Sequence, residues 1–302
     1  MNTSNNSDEL GMVLDSLPLP SISASAVLAE LSIGSYNPQR KDHRVTDTVN
    51  TVEGASSDTG QYTKRLFPGI KLFTQVKTLE MRARGVHREL TMPWSDNGQR
   101  ILVTPMIPDY VAGISAVRND FWATVLDIQN NYDAIMLEVQ HKMGALFDPS
   151  LYPSRLDIVK QFKFHEARVP VPETNDFDRI AGSAQAVMRE EFERHLRHVR
   201  EGIVVEMTTN TRKVLEKMSE RLDYEGGDDK KGFKNTLVTN VSDWHDKLGK
   251  FNEVVKLPEM EKMHRQIGDV LDNITPEVLR VSSEVRGDVK RKVDSILKTL
   301  DW

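Results

Sequence analysis

The chain has 302 residues, a formal charge of −5 and no cysteine. A length near 300 accommodates one large domain or two smaller ones with ample material for a core. The absence of cysteine excludes disulfides, thiolate nucleophiles and cysteine-based zinc sites. No apolar run approaches the ~20 residues a membrane helix needs. Residues 1–39 carry no Lys or Arg, so the positive region of a secretory signal is missing. The expectation is a protein without a membrane partner that stays in the cytoplasm where it is made.

In chain order, residues 1–20 are rich in Asn, Ser, Leu and Pro and read as a flexible N-terminus. Residues 21–33 suit a short helix or strand. Residues 34–63 read as loop with one short element, punctuated by Pro38, Gly54 and Gly60. Leu72, Val76 and Leu79 predict a helix after Pro68. Asn97–Gly98 predicts a hairpin turn over residues 87–103, with Pro93 marking its first arm as an edge strand.

From residue 108 to 146 the pattern is helical throughout. Ile114, Val117, Phe121, Val125, Ile128, Tyr132, Ile135, Val139 and Leu146 form one stripe. A short helix is predicted for 154–164, then an extended connector at Val169–Pro170–Val171–Pro172. Asp176 can cap a helix over 177–223, broken at Gly226–Gly227–Asp228. Phe233, Leu237, Val241, Trp244, Leu248, Phe251 and Val255 give a third helix a near-heptad seam. That seam suits pairing with a second copy or burial within the chain. Pro258 starts a fourth segment. Thr275–Pro276–Glu277 starts a last helix that runs to the terminus. The fold class expected is therefore mainly α: an elongated antiparallel helical bundle at 106–302, with a smaller basic, mixed α+β region at 21–105 that contains the hairpin.

Catalytic signatures are missing. No glycine pattern makes a phosphate loop or a dinucleotide fingerprint. His165–Glu166 opens like a zinc-protease helix, but Val169 stands where the second His is needed. His195 and His198 are spaced to chelate, yet Arg194, Arg197 and Arg200 beside them repel a dication, so this face reads as solvated. The expectation is no enzyme, no metal and no cofactor.

Charge is unevenly distributed. Residues 40–100 hold eleven bases against seven acids, whereas residues 101–178 hold six against eleven. A basic segment in an acidic protein is a footprint for a polyanion, or else a solvated mixed-charge face. Arg40, Lys41, Arg44, Lys64, Arg65, Lys71, Lys77, Arg82, Arg84 and Arg88 are its candidate phosphate contacts. Tyr36, Tyr62, Phe67, Phe73 and Trp94 are interleaved with them. Cations that follow phosphates and rings that stack on exposed bases are the requirements of a single strand. Each ring also suits a core. Tyr62, beside Lys64 and Arg65 in a polar stretch, is the least core-like and joins the candidate contacts.

Four segments carry a resemblance: LAELSIGSYNPQRKDHRVTDTV at 28–49, TMPWSDNGQRIL at 91–102, HKMGALFDPSLYPS at 141–154 and QFKFHEARVPVPETNDFDR at 161–179. Together they resemble a family of uncharacterised phage proteins often encoded near a MoxR-type ATPase and a von Willebrand A protein. They are also similar to the Drc group of podoviral RNA polymerase cofactors, which bind single-stranded DNA. The resemblance implies a bacteriophage protein in the cytoplasm of the infected bacterial host. It further implies single-stranded-DNA binding, a homo-oligomer, and a phage RNA polymerase as partner in transcription or replication. The alternative is a protein-interaction adaptor for an AAA+ ATPase and a von Willebrand A partner, without nucleic acid binding.

Overall fold

The computed structural model of the chain describes residues 22–95, 98–179, 183–222, 236–272 and 274–300. It is mainly α-helical with a small β-sheet. Residues 21–33, open between helix and strand, supply strand β1 (Ala26–Gly34). The expected hairpin forms from β4 (Met92–Pro93) and β5 (Gln99–Val103), which pair antiparallel with Pro93 opposite Arg100. Gly98 takes the left-handed φ of 91° that its place in the turn requires. Asn97, the other expected turn residue, lies outside the described residues. β5 also pairs antiparallel with β1, and Ala26 and Leu28 lie opposite Val103 and Ile101, all four buried. With β6 (Lys163–Pro170) the strand order is β4-β5-β1-β6. β4, which contains Pro93, is thus an edge strand, where a missing N–H breaks no ladder.

The chain divides into two compact units, and the cut differs from the linear division expected at 105. One unit is Leu31–Glu89 with Pro108–Ala167; the other is Met1–Glu30, Leu90–Ile107 and Arg168–Trp302. The first expected helical stripe therefore belongs with the basic segment, not with the C-terminal helices. The reason is its partners: Val117, Phe121, Val125 and Ile128 share one core with Phe67, Phe73, Val76 and Leu79.

In the unit Leu31–Glu89 plus Pro108–Ala167, the stretch expected as loop is more ordered. It holds a two-stranded ribbon, β2 (Gln39–Lys41) with β3 (Thr63–Arg65), and helix α1 (His43–Val52) between them. Then come α2 (Lys71–Glu89), α3 (Ile107–Asn130) and α4 (Tyr132–Met143). The single helix expected over 108–146 breaks at Asn131, whose side-chain amide donates to the Asp127 carbonyl at 2.8 Å. An Asn that bonds the preceding turn competes with helical continuation. The stripe survives because Ile128 and Tyr132 keep a spacing of four. No α-helix forms at 154–164. A 3-10 turn at Val159–Gln161 leads through the extended Phe162 into β6, and Phe162 and Phe164, two residues apart, both pack against Phe121. That period of two is a strand signal set among residues that otherwise look helical.

The other unit holds α5 (Ser183–Leu222), α6 (Thr236–Val255), α7 (Pro258–Leu271), α8 (Pro276–Val281) and α9 (Ser283–Thr299). Asp176 does not cap α5. It accepts from Glu173 N at 2.8 Å and lies in a 3-10 turn, Thr174–Arg179. The seam of α6 is buried within the chain: Val241, Trp244, Leu248, Phe251 and Val255 are all core, and Trp244 Nε1 donates to Thr211 Oγ1 of α5 at 2.9 Å. Phe233 and the Gly226–Gly227–Asp228 break lie outside the described residues. Thr275 caps α8 by accepting from Val278 N, as its motif predicts. The last helix is split at Ser282, whose hydroxyl caps α9 by accepting from Val285 N at 3.2 Å. The split exposes the carbonyls of Leu279 and Arg280, and Arg286 Nη1 donates to both.

Candidate nucleic-acid interface

The ribbon and α1 bring part of the basic segment together. Gln39 lies opposite Arg65, Arg40 opposite Lys64, and Lys41 opposite Thr63. Strand alternation puts Lys41 and Arg65 on one face of the ribbon and Arg40 on the other. Asp42 N donates to the Tyr62 carbonyl at 3.0 Å, and Tyr62 N donates to Thr46 Oγ1 at 3.0 Å. Tyr62 is therefore fixed beside the first turn of α1, and its side chain is 38% exposed. Lys41, Arg44 and Arg65 are exposed, and among the described residues no carboxylate stands within ion-pair distance of them. Arg40 is exposed as well. Its Nη1 donates to the carbonyls of Asn37 and Gln39 at 3.0 and 2.7 Å, and its guanidinium lies 5.7 Å from the Tyr36 ring centroid.

Lys64 departs from the expected role. Its side chain is 8% exposed, with Nζ 3.0 Å from Asp42 Oδ2 and 3.1 Å from the Leu146 carbonyl oxygen. The Lys64 ammonium, then the Val45 N–H, hold the Asp42 carboxyl below the usual carboxylate range. Lys64 is a structural cation, and a phosphate would have to displace a buried partner to reach it.

The remaining candidates lie on α2, all of them exposed. Lys77, Arg84 and Arg88 are seven and four residues apart and share a stripe with the exposed Met81. Within it Arg84 is held by Glu80 at 2.9 Å and by the Ile33 carbonyl at 2.9 Å. Lys71 and Arg82 fall on another side of the helix, and Arg82 faces Asp120 at 3.8 Å. The exposed candidates thus divide among the ribbon with the start of α1, the α2 stripe and a second side of α2.

The expected stacking rings are mostly interior. Tyr36, Phe67 and Phe73 are buried, and Phe67 stacks on Phe73 with centroids 4.3 Å apart. Trp94 is buried in the other unit, with Phe192 and the edge of His195 against it. His195 therefore lies against a ring, not on a solvated face; His198 is exposed. Burial of large rings removes the most apolar area from water and outweighs any use of them as a platform. Of the five interleaved rings, Tyr62 alone is exposed.

One surface was missed in the sequence. Val45, Val49 and Val52 of α1 recur at four and three and make a helical stripe, yet Val49 and Val52 are 48% and 77% exposed. The only buried side chain of α1 is Asn50, whose amide donates to the carbonyls of Ser57 and Gly60. The spacing was a readable signal, hidden by the expectation of loop.

Among the described residues no group of three or more His, Asp or Glu is placed to hold a metal ion. No helix of the described residues is long and apolar enough to cross a membrane. Comparison of the chain with protein-family models, with curated proteins and with solved structures returns no match.

Proposed function

We propose that this protein binds a single nucleic acid strand, DNA in the first instance, along its sugar–phosphate backbone at the β2–β3 ribbon and the start of α1. The observation that carries the reading is a group of exposed cations on the ribbon and the first turn of α1, with Lys41 and Arg65 on one ribbon face, Arg40 on the other and Arg44 on α1, where the exposed Tyr62 is also fixed. With one ring available, stacking acts at one base and most of the affinity comes from counterion release. Binding is then steep in salt and indifferent to sequence. The resemblance to phage proteins extends the proposal to a protein of the infected bacterial cytoplasm. In that role it self-associates and assists a phage RNA polymerase.

The test is a mobility shift with single- and double-stranded oligonucleotides at two salt concentrations, for the parent chain and for Lys41→Ala/Arg44→Ala/Arg65→Ala. A preference for the single strand that the triple variant loses supports the proposal. Equal affinity of the two chains removes it.

The valine stripe of α1 favours a second reading, the adaptor for an AAA+ ATPase and a von Willebrand A protein. Six of the ten residues of α1 are Val or Thr, types with low helix propensity. The helix is held by its cap and by the hydrogen bonds of Asn50, and its apolar side is left for a partner. Val49→Asp/Val52→Asp would then abolish binding to the purified partners without changing strand affinity.

A further inference from the structure

Helices α6 and α7 each carry the spacing His-x3-Gly: His245 with Gly249, and His264 with Gly268. Residues four apart share a helix face. The two motifs interlock. The imidazoles of His245 and His264 stack with centroids 3.9 Å apart and planes inclined by 15°. Each ring also sits over the other helix's glycine. A Cβ at Gly249 would stand 2.9 Å from His264 Nε2, and one at Gly268 would stand 3.3 Å from His245 Nε2. Only a glycine gives the His264 ring its seat without a shift.

The far end of this hairpin is under backbone strain. Lys256, between the helices, has a φ of 51°, in the left-handed region that a non-glycine residue seldom adopts. Asn252 holds that corner: its Oδ1 accepts from Leu257 N at 2.8 Å and its Nδ2 donates to Glu261 Oε2 at 3.1 Å. The corner and the stack thus add two local fastenings to a hairpin whose apolar faces, Leu248 and Phe251 on α6 and Met263 and Ile267 on α7, are buried.

We propose that the His245–His264 stack is a proton-sensitive latch: neutral rings keep α6 closed on α7, and protonation of both rings in mild acid parts them. Two imidazolium rings at 3.9 Å would place like charges face to face. Chelation is not the role of the pair, because parallel stacked rings direct their in-plane lone pairs past each other. Among the described residues, the carboxylates that act on the pair are Asp246 and Glu261. On α6, Asp246 Oδ1 lies 3.4 Å from His245 Nδ1 and its charge also favours a protonated His264. On α7, Glu261 acts on His264 but is shared with Arg265 at 3.7 Å and with Asn252. From α5 and α9, the polar contacts to α7 go to other residues than the stacked rings: Arg200 to Glu259, Thr208 to Met263 and Lys292 to the Asp269 carbonyl. Burial, then His245, lower the pKa of His264 below its ordinary 6.5. A depressed base adds stability that is complete above 6.5 and falls away as the pH drops below it.

This inference is independent of strand binding. The experiment follows the imidazole proton resonances of the intact chain from pH 8 to 5, together with amide exchange corrected for its intrinsic pH dependence. The expected result is two separated midpoints, the lower one below 6.5, with exchange across residues 236–271 rising at least tenfold as the second proton binds, while α9 stays protected. His264→Phe, which keeps a stacked ring without a titratable nitrogen, is expected to remove that acceleration. A single common midpoint at the ordinary value, or acceleration that persists in His264→Phe, overturns the latch. Should that variant not fold, the titration and exchange of the parent chain decide alone.

Discussion

Lys64 Nζ lies 3.0 Å from Asp42 Oδ2, and the same aspartate caps α1 by accepting from Val45 N at 3.1 Å. The basic segment thus contains two kinds of cation, one that holds the ribbon to α1 and others that face water. Substitution separates them. Lys64→Met is expected to lower the melting temperature by several degrees, because it leaves a carboxylate with little exposure short of its counter-charge. Arg65→Ala is expected to leave the melting temperature unchanged and to weaken strand binding. The acid limb carries a sign. Asp42 titrates below its ordinary value, so its contribution is present above that value and is lost as the pH falls through the lowered one. In Lys64→Met that acid-side loss shrinks, which urea denaturation at neutral and acid pH measures.

Salt dependence gives the proposed interface a count. If Arg40, Lys41, Arg44 and Arg65 each neutralise one phosphate, the logarithm of the association constant falls with the logarithm of salt at a slope of about −2.8. Each Ala substitution among the four is expected to flatten that slope by ~0.7. Anisotropy titrations at four salt concentrations give the number, and a slope near zero would mean that phosphates play no part.

Tyr62 is the ring available for stacking. Tyr62→Ala is expected to weaken single-strand binding roughly 5- to 150-fold, the equivalent of ~1–3 kcal/mol for one stacked base. Tyr62→Phe keeps the stacking face and is expected to bind like the parent. Equal losses in both variants would assign the effect to the hydroxyl and exclude stacking.

The sequence spoke most clearly where burial and period coincide. The stripe from Ile114 to Val139, the α6 seam and the Thr275–Pro276 start all lie where the spacing places them. It spoke least where one polar group overrides a period. Asn131 and Ser282 each divide a helix whose apolar phase continues across the break, and hydrophobic spacing carries no trace of such a cap. The candidate site divides in the same way. Composition located the cations, but partner choice is a tertiary matter: Lys64 and Arg65 are adjacent in sequence, one buried on Asp42 and one in water. Aromatic spacing could not separate a platform from a core, and for Tyr36, Phe67 and Phe73 the core prevailed.

That core sets a further limit, on the alkaline side. Tyr132 OH donates to the Pro153 carbonyl at 2.5 Å, Tyr152 OH donates to the Leu66 carbonyl at 3.0 Å, and both rings pack against Phe67. Burial, then the neighbouring Tyr36, pushes both phenols up to about 12 from an ordinary 10. A phenol whose folded pKa is raised leaves stability untouched below 10 and subtracts from it as the pH climbs from 10 toward 12, because the unfolded chain ionises first. The unit that holds Leu31–Glu89 and Pro108–Ala167 is therefore expected to unfold in that window, read as a cooperative loss of helical circular dichroism together with the rise of phenolate absorbance near 295 nm, the usual phenolate band. In Tyr132→Phe the ring stays and the ionisable hydroxyl goes, so the alkaline midpoint is expected to move upward even though a hydrogen bond to Pro153, worth about 1 kcal/mol, is lost. A midpoint that stays in place, or phenolate absorbance that rises well below the unfolding transition, would show that these hydroxyls reach water in the folded chain.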